Sequence, residues 1–155
     1  MDRCADFDFL FGSRTVSHRR LRRRLVGDTQ WEELSGVTES RLIVGGLGNG
    51  DDSVIELPAG TYRAEAIRAF DSAQRLWSIW WIDSRFPGLG PPGRGGFEQG
   101  IDIFFGDDEL DGHPIRVRFT WSEITSRSAR WEQAFSADGE ASWEINGIMN
   151  FTRVR

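Results

Sequence analysis

Strict alternation of apolar and polar residues marks the second half of this chain. Ile115-Arg116-Val117-Arg118-Phe119-Thr120-Trp121-Ser122 alternates without a break, and Trp143-Glu144-Ile145-Asn146-Gly147 does the same before continuing through Met149 and Phe151. A period of two sends successive side chains to opposite faces, so each run predicts a strand with one buried side. Turn signals recur at strand spacing: Gly27-Asp28, Gly45 to Asp52, Pro58-Ala59-Gly60, Asp71-Ser72, Pro87 to Gly96, Asp111-Gly112 and Asp138-Gly139. The two Asp-Gly pairs at 111 and 138 suit tight hairpins. Leu76-Trp77-Ser78-Ile79-Trp80-Trp81-Ile82 is apolar on both faces, as a strand covered on both sides would be. Its covers are the N-terminal segment or a second copy of the chain in a homodimer.

Only Asp6 to Gly12 carries helical spacing, with Phe7, Leu10 and Phe11 at i, i+3 and i+4 and Gly12 able to end the turn. The pattern therefore predicts an all-β chain: one domain over residues 1–155, an antiparallel up-and-down barrel of about 8–10 strands with a short N-terminal plug helix. Pro87 to Gly96 is expected to be a loop at the barrel mouth, because Gly and Pro oppose regular structure.

Composition narrows the function classes. Seven Trp and eleven Phe among 155 residues supply a real core. No apolar run approaches the roughly 20 residues that span a bilayer, and the start Met1 to Asp6 shows no basic-then-apolar leader. With one cysteine, Cys4, an internal disulfide is excluded, and a cytoplasmic location is expected. All nineteen basic residues are arginine, which removes Schiff-base and phosphate-loop lysine chemistry.

The loudest local signal is "SHRRLRRRL", Ser17 to Leu25, with five arginines and a histidine in nine residues. It looks like a nucleic-acid arm, but it sits on a chain of net charge −5 and is not spread over a face. The expected reading is a first strand over Thr15 to Leu21 with a solvated basic end at Arg22 to Arg24. No nucleic-acid partner and no membrane partner are expected.

"FDFLFGSRTVSHRRL", "LWSIWWIDSR" and "RWEQAFSADGEASWEINGIMNFTR" resemble a bacterial family of calycin-type, lipocalin-like barrels of no assigned activity, across most of the chain. In that family a Gly-x-Trp after the plug places an indole at the closed end. Here the match is Gly12-Ser13-Arg14, so Arg14 takes the indole's place and needs a carboxylate or a stacking partner. The resemblance implies a cavity for a small molecule and brings no catalytic set. If Arg14 faces inward as the indole would, alternation sends Val16, His18 and Arg20 the same way.

His18 and Arg20 could then hold an anionic group, or His18 could act as an acid or base; the alternative is a histidine bonded to a neighbouring strand. His113 is expected in an exposed turn. Two histidines without metal-ligand spacing give no zinc site, related haem barrels use a C-terminal histidine that is missing here, and the acidic stretches Asp51-Asp52 and Asp107 to Asp111 lack a calcium-loop pattern. No cofactor is expected. No nucleophile elbow occurs. Glu132 and Glu144 face solvent if the tryptophans face in.

Trp77, Trp80, Trp81, Trp121, Trp131 and Trp143 are all expected on strands, where they either line a cavity or fill the core. Tyr62 leads Ala64 and Ala66 at alternate positions, whose small side chains leave space beside it. The expected ligand-binding set is His18, Arg20, Tyr62, Trp80, Trp81, Trp121, Trp131 and Trp143. The expected partner is a small hydrophobic or aromatic molecule. A cofactor-independent cyclase, isomerase or hydrolase and an interaction protein with a filled barrel are the alternatives.

Overall fold

A computed structural model describes residues 4–154, so the start at Met1 to Arg3, read as lacking a leader, lies outside the described residues. Ten antiparallel strands run in sequence order: β1 (Gly12–Leu21), β2 (Trp31–Ile43), β3 (Gly48–Leu57), β4 (Gly60–Asp71), β5 (Leu76–Asp83), β6 (Gly93–Glu98), β7 (Ile101–Leu110), β8 (His113–Ser122), β9 (Ser128–Ser136) and β10 (Glu144–Arg153). Each pairs with the next, and β1 pairs with β10, closing the barrel. Closure satisfies the backbone groups that an open sheet would leave at its edges. Among the described residues no helix is long and apolar enough to cross a membrane.

The period-two pattern does what it predicts. On β8, Ile115, Val117 and Trp121 are buried, and on β1, Arg14, Val16 and His18 are. Before β1, Asp8–Leu10 forms a single 3-10 turn that plugs one end. Phe7 and Leu10 of this plug are buried with Trp77, Phe104, Trp121 and Phe151. Phe7 meets Trp77 edge to face at 4.9 Å, a favoured geometry for aromatic quadrupoles. This half of the barrel is filled by side chains.

Several turn readings need correction. Of Gly45 to Asp52, only Val44–Gly46 turns, and Gly48 onward is strand. A Cβ on Gly48 would lie 2.3 Å from the Arg68 carbonyl oxygen, so glycine there lets β3 and β4 pair closely. Gly93 to Gly96 likewise belong to β6, with Gly95 backed directly onto the Ile103 carbonyl. Close strand approach, not a turn, explains Gly48 and Gly95. Asp107 to Leu110 lie in β7, leaving Asp111-Gly112 as the hairpin turn before the exposed His113.

Trp143 stands just outside β10. It packs on the outer wall against Phe105, with Arg118 4.5 Å over its ring. On β5 the plug packs with Trp77 and Ile79 of the inner face, and Trp80 and Ile82 of the outer face are half-buried in the single chain.

Candidate functional site

The closed end of the barrel carries a polar network beneath the plug. Arg14 points inward and donates to the carbonyls of Phe9 in the plug and Ser13 in β1, so among the described residues it bonds to backbone carbonyls and not to the expected carboxylate or aromatic ring. Arg68 donates to Asn49 at 2.9 Å and to Asp51 at 2.6 Å, and Ser40 donates to Asp51. Asp51 is thus a buried counter-ion, not the solvated turn residue its sequence context suggests. Asp102 is fully buried nearby, and among the described residues neither carboxylate oxygen has a partner at full hydrogen-bond geometry. Burial pushes its pKa up to about 8; the Asp6 charge adds to this and Arg68 opposes it.

The other end is open. β6 is short and meets β5 only from Trp77 to Ile79, so beyond Ile79 the wall between β5 and β7 is interrupted. The segment Ser84 to Pro92 spans the interruption and carries the exposed side chains of Phe86 and Leu89. Trp81 pairs with Ala66, and its side chain alternates with those of Trp77, Ile79 and Asp83 on the inner face. It is nonetheless 42% exposed. An inner-wall indole in contact with solvent means that this part of the interior is reachable from outside. Ala64 and Ala66 beside it add little bulk, and Leu34, Ile55, Tyr62 and Ala64 form an apolar cluster on that wall.

Charges ring this mouth. Asp83 is buried; it accepts from the Trp81 indole at 3.2 Å and from Arg85 at 2.9 Å and 3.2 Å. These bonds overcome burial and hold its carboxyl below the usual range. Arg85 lies 3.8 Å over the Tyr62 ring, and Arg20 donates to the Tyr62 hydroxyl.

The residues after β1 fold back over the opening. Leu25 packs on Ile115, Val117 and Phe135, and Arg24 lies 5.4 Å over the Phe135 ring. Arg24 is therefore no solvated strand end, although Arg22 and Arg23 are exposed. Glu144 corrects a second expectation. A register shift between Ile145 and Gly147 changes the alternation of β10, and Glu144 accepts from the Leu25 amide at 2.8 Å instead of facing solvent. Glu132 is part-buried and accepts from Arg130.

His18 lies deeper on the same wall, between Leu34 and Met149. A Cβ on Gly36 would come within 3.2 Å of its Nε2, so the glycine makes room for the imidazole. Its Nδ1 is buried without a partner, and burial together with Arg20 lowers its pKa to about 4. The ring is neutral at neutral pH, with one nitrogen free to accept a hydrogen bond.

Of the eight residues expected at a site, His18, Arg20, Tyr62 and Trp81 lie on the inner wall of the open half. Trp131 also faces inward, stacked on Phe119 at 5.4 Å. Trp121 is core filling at the plugged end, 5.0 Å from Phe151. Trp80 and Trp143 lie on the outer wall, where alternation and the late start of β10 put them. Arg24 and Arg85 were not expected, because their loops have no period that would show where they point, whereas Asp83 ends β5 and faces inward by that strand's alternation.

No family model and no curated protein matches this chain. Among solved structures, the S-type phycobiliprotein lyase CPES from Guillardia theta matches over 96% of this chain and 90% of its own, with a TM-score of 0.61 at 9% identity. At that identity the likeness establishes the lipocalin-like barrel fold alone.

Proposed function

We propose that this chain is a small-molecule-binding barrel that takes a flat, mostly apolar ligand into its open half. The observation that carries the reading is Trp81, an inner-wall indole left 42% exposed beside the small side chains of Ala64 and Ala66. Pockets of this kind combine apolar walls with a few placed polar groups, and Tyr62, Arg20 and His18 supply those here. The fold likeness to a phycobiliprotein lyase supports the same reading. Titration with anthracene-9-carboxylate, followed by tryptophan quenching, tests it. Ala66→Phe places a ring against Trp81 and is expected to weaken binding at least tenfold while near-UV circular dichroism stays native. Wild-type affinity in that variant would move the ligand away from this wall.

A further inference from the structure

The mouth holds more positive charge than the carboxylates touching it neutralise. Arg20 from β1 and Arg85 from the connection after β5 both meet Tyr62, and Arg24 from the connection after β1, over the Phe135 ring, lies within electrostatic range of all three. Arg85 is matched by Asp83. Glu144 acts on Arg24 at longer range while accepting the Leu25 amide. Glu32 stands opposite Arg20 in register. Among the described residues, however, no carboxylate comes within 4.0 Å of Arg20 or Arg24.

Three guanidinium groups gathered in a part-buried mouth repel one another, and the strain shows on Arg24. Burial and the charges of Arg20 and Arg85 lower its pKa. Leu25, packed on Ile115, Val117 and Phe135, carries Arg24 over the mouth, whereas Arg22 and Arg23 reach solvent. Arginine forks match a carboxylate in geometry as well as charge, and a group that bridges two of them relieves the repulsion.

We infer that Arg20, Arg24 and Arg85 form an acid-recognition subsite, and that the ligand is an amphipathic carboxylic acid whose apolar body lies against Trp81. This inference rests on the reading of the open half as a ligand site. One carboxylate suits the subsite better than a dianionic phosphate. The three arginines, set against Asp83 and Glu144, leave a surplus of a single positive charge, and Glu32 opposite Arg20 reduces it further. Tyr62 is the pivot: its hydroxyl accepts from Arg20, which leaves its own proton free for the carboxylate.

Two probes of the same shape separate this claim from the one beneath it: anthracene-9-carboxylate and the neutral 9-hydroxymethylanthracene. Each is titrated into wild-type protein and into Arg24→Gln, a change on a loop that leaves Tyr62 and Asp83 their partners. The acid is expected to bind at least tenfold tighter than the alcohol, and more weakly as salt is raised. Arg24→Gln should remove most of that advantage and leave alcohol binding unchanged. Equal binding of both probes to wild type, or an acid affinity indifferent to Arg24→Gln and to Arg24→Glu, overturns the acid subsite and leaves the binding barrel standing. Failure of both probes to bind overturns both.

Discussion

Replacing Asp102 with asparagine is expected to flatten the alkaline side of this barrel's stability curve. In the folded chain the carboxyl is fully buried on β7 between its register partners Phe97 and Trp121, with no partner at full hydrogen-bond geometry among the described residues, and its pKa rises from 3.8 to about 8. In the unfolded chain it ionises near its ordinary value. Between those two values the folded state holds a proton that the unfolded state has lost. Stability therefore falls as pH rises through the window, by about 1.4 kcal/mol per pH unit. From about pH 5 to about pH 7.5 the loss comes to roughly 3 kcal/mol, a large part of a typical domain's 5–15 kcal/mol.

Asp102→Asn cannot ionise, so it lacks this slope. Its amide lacks partners as well, which costs about 1–3 kcal/mol at every pH and shifts the curve without tilting it. Urea unfolding of both proteins, followed by tryptophan fluorescence at several pH values, isolates the effect. Every other titrating group is common to the two and cancels in the difference. The wild type should lose about 3 kcal/mol relative to the variant across that window. Parallel curves would refute the reasoning, because they would mean that Asp102 is ionised and paired in the folded state.

His18 sets the acid limb. Its folded pKa of about 4 lies below the ordinary 6.5, so its contribution is complete above 6.5 and is lost as pH falls toward 4. His18→Gln should abolish an acid-side loss of about 3 kcal/mol in the same unfolding assay, and an unchanged acid limb would contradict it. Gly95→Ala should cost about 3 kcal/mol or more in thermal unfolding, because the new Cβ would sit 1.8 Å from the Ile103 carbonyl oxygen. Gly96→Ala, whose nearest neighbour lies 3.9 Å away, is the control and should be nearly neutral.

The strands were legible because one physical rule governs them. Closure of the barrel makes inside and outside alternate residue by residue, so Val117 and Trp121 share a face by spacing, and Val16 and His18 follow once Arg14 is taken to face inward. The rule broke wherever something interrupted the alternation. The irregularity near Asn146 turned Glu144 toward the mouth. Gly48 and Gly95 read as turn residues because composition does not distinguish a glycine that bends the chain from one that lets two strands touch. Asp51 read as solvated because its partner Arg68 is 17 residues away on another strand.

The same division separates scaffold from chemistry. At the plugged end, aromatic rings from the plug and the strands fill the interior, and Phe7, Trp121 and Phe151 were legible from the period of their own segments, whereas Phe97 and Phe104 were not. At the open end, Arg24 and Arg85 come from connections with no period, and only the closed barrel brings them to Tyr62, a strand residue. Arg24 was hidden in plain view within "SHRRLRRRL". Five arginines in nine residues suggest a uniform basic run, yet each faces what its own position dictates. Arg20 points inward by strand parity, Arg22 and Arg23 face solvent, and Arg24 returns over the mouth because Leu25 beside it packs on Ile115, Val117 and Phe135. A single apolar residue in a loop thus decides where its charged neighbour goes. Leu25→Ser should therefore weaken acid binding in the same titration even though Leu25 carries no charge, whereas a purely electrostatic arm would not register its loss.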